Sequence, residues 1–310
     1  MLLPAGHTAR APRPDDEDAL HGLVRDYTFA VTGVADYTLD DARDELTGPG
    51  FVAERDARFV FDRDGRLAGC GFVHRKGDGG HVDVDVVAGD VVAGDGGVRR
   101  WLLGWVLARA RDGRGDVTVG HGCYRADGAL RDALTEHGFS LATTFHRMRI
   151  DHVGPLDVPV PPDGVSLLAA GEDDGVRRAA HHVLTTAFAD HFGFVRESYV
   201  DWVERHERRS GFAWSRLWVA ELDGRPVGVL ECEDRFAHDG LGYVASLGVV
   251  ASARGRGIAK FLLRHAFAVD AAAGRTGTAL HVDTDNVTPA LGLYESVGMH
   301  PVLVIDAFLA

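Results

Sequence analysis

The 310-residue chain has only three cysteines, Cys70, Cys123 and Cys232, and no two of them sit at a spacing that marks a metal knuckle or a redox pair. A disulfide framework is therefore excluded, and three buried thiols in a reducing, cytoplasmic setting are the expectation. Lysine is nearly missing as well, with Lys76 and Lys260 alone against a majority of arginines, and the formal net charge is −13. That charge repels a polyanion, so no nucleic-acid partner is expected. No apolar run is long enough to span a bilayer, and the opening MLLPAG lacks the hydrophobic region of a signal peptide, which argues against a membrane partner. Sixteen histidines are present, yet His181, His182, His191 and His206 lie on a segment read as helical without metal-ligand spacing. Structural or surface roles, and no bound metal, are the expectation.

What the chain does have is a glycine-rich turn between two well-written elements. Residues 247–259, LGVVASARGRGIA, read as an apolar strand entering a helix whose first turn is almost bare backbone. Gly255 and Gly257 remove side chains where a ligand must come close. The unpaired N–H groups from Gly255 through Ile258 and Ala259 to Lys260 then form an anion site, flanked by the planar donors of Arg254 and Arg256. Ile258, Phe261, Leu262, Ala266 and Val269 recur at helical spacing, and Gly274 supplies a stop. A strand over 278–282 follows and ends in Asp283, Thr284, Asp285 and Asn286. Thr288 and Pro289 then offer an N-cap and an N1 proline for a second helix that carries Tyr294 and closes at Gly298, before a final strand VLVIDAF. A Walker A loop would need Lys and Ser or Thr after Gly257, and a dinucleotide fingerprint would need a third glycine; neither is there.

The order strand, RGRGIA, helix, strand, DTDNVTPALGLYESVGM resembles the C-terminal half of the GNAT acyltransferases. The resemblance implies that Arg254, Gly257 and Ala259 hold the defining places of the loop that cradles the diphosphate of acetyl-CoA. It also implies that the backbone of Leu247, Gly248 and Val249, on a strand that splays from its neighbour, holds the pantetheine arm, with Asn286 on the facing loop. Tyr294 is then the proton donor to the departing thiolate, against its reading as a core aromatic packed on Ala290 and Leu291. The general base expected from the strand pattern is Glu231, on one face of VGVLECED with Glu233, acting directly or through a water; a solvated strand face explains that pair equally well. Asp283 and Asp285 compete for the base or for ammonium binding, and Glu233, Tyr243 and Asp283 are the candidate acceptor-binding residues. The acceptor implied is a small-molecule primary amine that attacks the thioester directly. The competing readings are a non-catalytic CoA-binding regulatory module and a transferase using aminoacyl-tRNA.

An internal repeat accompanies the motif. Gly257 aligns with Gly97 and Gly298 with Gly138 at one separation of 160 residues, and DGRLAGCGFV (64–73) matches DGRPVGVLEC (223–232). The copies differ where chemistry is expected: Gly94 stands for Arg254, Arg99 for Ala259 and Leu134 for Tyr294, with Asp95 in the first turn. The fold class expected is thus α/β (α+β), two tandem GNAT-like domains, each a mixed, mostly antiparallel twisted sheet flanked by helices. The tandem layout is similar to that of the mycothiol synthases, although Tyr243 stands where their catalytic acid is expected. The divisions expected are a flexible leader over 1–14, a degenerate domain over 15–150, a linker over 151–164 where prolines gather, and a catalytic domain over 165–310. A pair of copies joined in one chain suits a monomer, and a homodimer stays open. The segment 187–202 reads as a helix, loop and helix, which the resemblance implies roofs the acceptor site, its aromatics Phe188, Phe192, Phe194, Tyr199 and Trp202 either core or pocket lining.

Overall fold

The computed structural model describes the chain except residues 1, 48–50, 77–79, 90–95, 113–115, 190, 192–193 and 285–289. The first half runs β1 (Thr8–Arg10), α1 (Glu17–Thr32), α2 (Leu39–Thr47), α3 (Ala53–Asp56), β2 (Ala57–Phe61), β3 (Leu67–Lys76), β4 (His81–Ala88), α4 (Gly97–Arg111), β5 (Thr118–Tyr124), α5 (Gly128–Glu136) and β6 (Ser140–Asp151). The second runs β7 (Val165–Ala169), α6 (Asp174–Ala187), α7 (Tyr199–Glu207), β8 (Leu217–Leu222), β9 (Arg225–Glu233), β10 (Leu241–Val249), α8 (Ile258–Ala272), β11 (Gly277–Asp283), α9 (Ala290–Glu295) and β12 (His300–Leu309). The sheets are mostly antiparallel, with one parallel pair in each copy, β4 with β5 and β10 with β11.

Two compact units result, one of residues 1–144 with 304–310 and one of 145–303. The first holds strands in the order β1-β2-β3-β4-β5 and ends on the C-terminal part of β12, where Ile305 to Leu309 pair antiparallel with Tyr124 to Gly120. The second holds β7-β8-β9-β10-β11 and ends on β6, where Phe145 to Asp151 pair with Asp283 to Gly277. Each copy thus gives up most of its last strand to the other unit and receives the other's in return, which neither the 150/151 nor the 164/165 division anticipates. Ladder hydrogen bonds are the same whichever copy supplies the strand, so local pattern does not choose. At the other end, Thr8 to Arg10 of the expected leader pair with Phe61 to Phe59, and Arg10 forks onto Asp16.

The repeat is legible in packing. A Cβ at Gly69 of β3 would meet Val98 at 2.8 Å and Leu102 at 2.9 Å; one at Gly228 of β9 would meet Ile258 and Leu262 at 3.2 Å. Each central strand leaves out a side chain so that the helix after the turn seats directly on the sheet. The turns that close α5 and α9 are built alike: Phe139 N–H donates to Leu134 and Met299 N–H to Tyr294, both at 3.1 Å, with Gly138 and Gly298 at φ +88° and +94°. The second unit's sheet is covered on one face by α8, with Ile258, Leu262, Leu263 and Ala266 buried against Leu230, Val244 and Leu280. On the other face lie α6 and α7, whose Ala180, Val183, Leu184 and Trp202 bury Leu217, Val219 and Val229.

Candidate functional site

In the second unit β10 and β11 pair in parallel from Leu241 with Gly277 to Val244 with Leu280, and there the recorded pairing stops. β10 continues along β9 alone, after a register shift between Val244 and Ser246, with Ser246 opposite Glu231 and Val249 opposite Gly228. Val250 N–H donates to Val227 O, so the alternation of an antiparallel ladder turns the backbone groups of Leu247 and Val249 away from β9. They face the opening between the strands. The Val249 carbonyl there accepts from Nε of Arg254 at 3.1 Å, which fixes that side chain at the mouth of the turn.

α8 begins in that opening. Gly255 and Gly257 have φ of +76° and +78°, the left-handed region that costs any other residue strain. Among the described residues no side chain caps the helix, and no acidic residue lies in its first turn, which leaves its leading N–H groups for an outside acceptor. A cavity of ≈ 650 Å³ joins these parts: residues 244–249 of β10, the turn from Arg254 to Lys260, Leu280 to Asp283 of β11, and Leu293 and Tyr294 of α9. Phe188 and Phe194 line it as well, with Gly248 letting Phe188 approach, since a Cβ there would lie 2.8 Å from the ring. Arg256 is exposed and lies outside the lining. Tyr294 is 8% exposed, and burial pushes its hydroxyl up to about 12.

A second cavity of ≈ 190 Å³ shares Phe194, Ala245 and Ser246 with the first. Glu231, Tyr243, Glu197, Arg205, Arg209 and Arg235 are among its walls. Glu231 is buried and meets His206 Nε2 at 3.0 Å. The other ring nitrogen, Nδ1, is 2.7 Å from the Trp202 carbonyl, which only accepts, so Nδ1 carries a proton and the Nε2–Oε1 contact holds another between its two atoms. Burial pushes the Glu231 carboxyl up, but the His206 hydrogen bond and the guanidiniums of Arg209 and Arg205 outweigh it and hold it below the usual carboxylate range. Glu233 differs. Burial raises it despite Arg209 at 2.6 Å, and it lines neither cavity, contrary to its expected part in acceptor binding.

Tyr243 lines the small cavity, and its hydroxyl is 2.9 Å from His281 Nδ1. Nε of Arg147 donates to His281 Nε2 at 3.1 Å, so the neutral ring carries its proton on Nδ1 and gives it to the Tyr243 oxygen. Burial, with Arg147 and Arg235 adding, pushes His281 down to about 3 and keeps it neutral. Asp283, expected on the acceptor side, lies instead with the large cavity. Asn286, with Asp285, Thr288, Pro289 and Phe192, lies outside the described residues. Trp202 and Tyr199 pack with α6 rather than lining the large cavity, although Trp202 reaches the small one. Sequence reasoning missed His206 and His281, assigning the first to structure or surface. The alignment of His281 with His121 at the repeat's separation was the signal available for the second; no signal marked the first.

The first unit treats the same positions differently. His121 Nε2 accepts from the Val86 N–H at 3.1 Å, beyond the point where recorded β4–β5 pairing stops at Asp83 with Gly120. The imidazole occupies a strand amide at the parting of the two strands. Arg99 is 3% exposed and 3.6 Å from Asp127, which also accepts from Tyr27 and caps α5. Glu45, His74 and Asp85 bring potential metal-binding atoms within 4.8 Å of one another, a grouping the sequence did not suggest. All three cysteines are buried, and burial pushes each thiol up. No helix among the described residues is long and apolar enough to cross a membrane.

Residues 180–299 match the model of the Acetyltransferase (GNAT) family. A GCN5-related N-acetyltransferase from Sphaerobacter thermophilus superimposes with a TM-score of 0.83 at 24% identity, over 100% of this chain and 96% of that one. A tandem GNAT protein from the clavulanic acid biosynthesis pathway gives 0.74 at 16%, over 98% of each chain. A putative acetyltransferase from Pyrococcus horikoshii gives 0.66 at 15%, over 100% of this chain and 91% of that one. No curated protein matches the sequence. The chain as a whole has the fold of these proteins, a tandem GNAT protein among them. Members of the GNAT family transfer acyl groups and use acetyl-CoA.

Proposed function

We propose that the second unit transfers an acetyl group from acetyl-CoA to the primary amine of a small molecule, by direct attack of the amine on the thioester. The observation that carries this reading is one cavity in which an uncapped, glycine-led helix start, the outward backbone of Leu247 and the buried Tyr294 hydroxyl converge. The amides of Gly257 to Lys260 and the guanidinium of Arg254 suit a diphosphate, and Leu247 offers strand hydrogen bonds to an amide-bearing arm. When bound, acetyl-CoA supplies the activated acyl group; the chain's own groups do the rest.

Ser246 and Glu231 sit opposite each other where the two cavities meet, so an amine held by Glu231 in the small cavity faces the thioester end of the large one. Glu231, ionised, holds the ammonium and takes one proton from it, passing it to solvent directly or through a water; the free amine then attacks, and the second nitrogen proton leaves by the same route as the C–N bond forms and the C–S bond breaks. Tyr294 delivers its hydroxyl proton to the departing sulfur and is reprotonated from solvent. At about 12 it keeps that proton through the neutral range. The first unit serves as a non-catalytic partner, its corresponding strand amide being taken by His121. A monomer or homodimer in the cytoplasm fits this role.

The test is calorimetry with acetyl-CoA followed by thiol release across a panel of primary amines. Tight binding with turnover on at least one amine is the expected result. Binding without turnover on any amine would favour a regulatory module, and no binding would sink the reading.

A further inference from the structure

The walls of the small cavity say more about the acceptor than that it is an amine. Among the described residues, three guanidiniums line it, Arg205, Arg209 and Arg235, against two carboxylates, Glu197 and Glu231. Glu197 is taken up by Arg205 through two contacts, 2.6 Å and 3.2 Å. Arg209 grips Glu233 at 2.6 Å and approaches Glu231 to 3.7 Å. Glu231 also shares a proton with His206. The described walls of the cavity therefore present no excess of negative charge to a substrate, although the chain as a whole is strongly acidic. A polyamine, which needs several carboxylates, does not match it; a molecule carrying an anion beside its amine does.

Position orders the two ends. Ser246 is shared with the large cavity and Glu231, a wall of the small one, is paired opposite it, so the amine belongs there. β9 runs on to Glu233, opposite Tyr243, and Arg235 follows two residues later, farther from Ser246. The positive field of Arg235 is felt at the inner wall, where with Arg147 it opposes protonation of His281. A cavity of ≈ 190 Å³ has room for a molecule of a few heavy atoms beyond the amine.

Resting on the acetyl-transfer reading above, we infer that the acceptor is a small amino acid, its amine at Glu231 and its carboxylate held by Arg235 in the charged cavity beside Ser246. A carboxylate takes two parallel hydrogen bonds from a guanidinium, which fixes orientation as well as affinity.

The test titrates the protein, with and without saturating CoA, with each of the twenty L-amino acids. The tightest binder is then compared with its carboxamide, its decarboxylated amine and an amino-sugar phosphate. At least one amino acid should bind, and loss of its carboxylate should weaken Kd tenfold or more. Arg235→Gln should weaken the amino acid tenfold or more while leaving the Kd of its decarboxylated amine and of CoA within about twofold, which a misfolded variant would not do. CoA binding without any amino-acid binding, equal affinity for the decarboxylated amine, or preference for the sugar phosphate would each overturn the inference and leave acetyl transfer standing. Failure to bind CoA would overturn the acetyl-transfer reading and this inference with it.

Discussion

The two copies share a scaffold and differ in what they leave open. In the first, His121 caps a strand amide at the parting of β4 and β5, Arg99 is buried against Asp127, and the core Leu134 stands where the second copy has Tyr294. In the second, the histidine at the same place turns to Tyr243, the helix start is lined by Ala259, and a cavity of ≈ 650 Å³ results. The charges beside the third strand are exchanged too: Glu45 of α2 meets His74 at 2.7 Å in the first, whereas Arg209, just beyond α7, meets Glu233 in the second. Among the described residues, a side chain thus satisfies in the first copy the strand edge that faces a cavity in the second.

The sharpest way to break this comparison is at Tyr294. Tyr294→Phe should lower kcat by about 10²-fold or more with CoA affinity intact, while Leu134→Tyr in the first copy should confer no activity. Steady-state kinetics with calorimetry on each variant decides; an undiminished kcat would return Tyr294 to the core. Because its hydroxyl titrates near 12, wild-type kcat should show no loss assignable to Tyr294 between pH 7 and 10.

The next largest effect lies in stability. A Cβ at Gly242 would fall 1.9 Å from Oδ2 of Asp270, a buried carboxylate bonded to Arg216 at 2.7 Å and Thr278 at 2.6 Å. Gly242→Ala should cost about 3–5 kcal/mol, the scale for breaking a buried pair, visible as a lowered denaturant midpoint. The first copy has Val82 and Ala110 at the aligned positions, both fully buried and apolar, so Val82→Ala should cost less, about 1–3 kcal/mol by loss of packing. Equal losses at the two sites would contradict the ion-pair account.

His121→Ala should cost about 1–3 kcal/mol by stranding the Val86 N–H, yet CoA stoichiometry should stay at one per chain because Arg99 and Leu134 remain. A titration giving two sites would show that the imidazole alone closes the first copy. The smallest effect concerns acid. Glu231 is held below its ordinary value when folded, so its contribution is present above the unfolded carboxyl range of about 4.3 and is lost as pH falls through the folded value. Removing its partner with His206→Gln should shift the acid limb of the unfolding curve to higher pH, and an unmoved limb would show that the pair carries no linkage.

Much of the second copy was readable in the chain. RGRGIA followed by Phe261, Leu262 and Ala266 wrote a turn and an amphipathic helix because glycine's backbone freedom and a 3.6-residue period are local properties. The stops at Gly274 and Gly298 followed from the same chemistry, both glycines lying at positive φ. The repeat was readable because both copies omit a Cβ where their helix seats, at Gly69 and Gly228. The role of His206 was not, since its partners Trp202 and Glu231 lie on its own helix and on a strand 25 residues away, and only folding brings the three together.

The amino-acid sequence by itself determined the elements, their order, the duplicated plan and the glycine-led helix start, all of which depend on residues close in the chain. Only the tertiary structure decided that β6 and β12 each complete the other copy's sheet, and that Glu231, Glu197 and three arginines share one small cavity. A strand offers the same ladder of donors and acceptors to any partner, and a charge acquires its value from neighbours distant in sequence, so both were settled by which surfaces met.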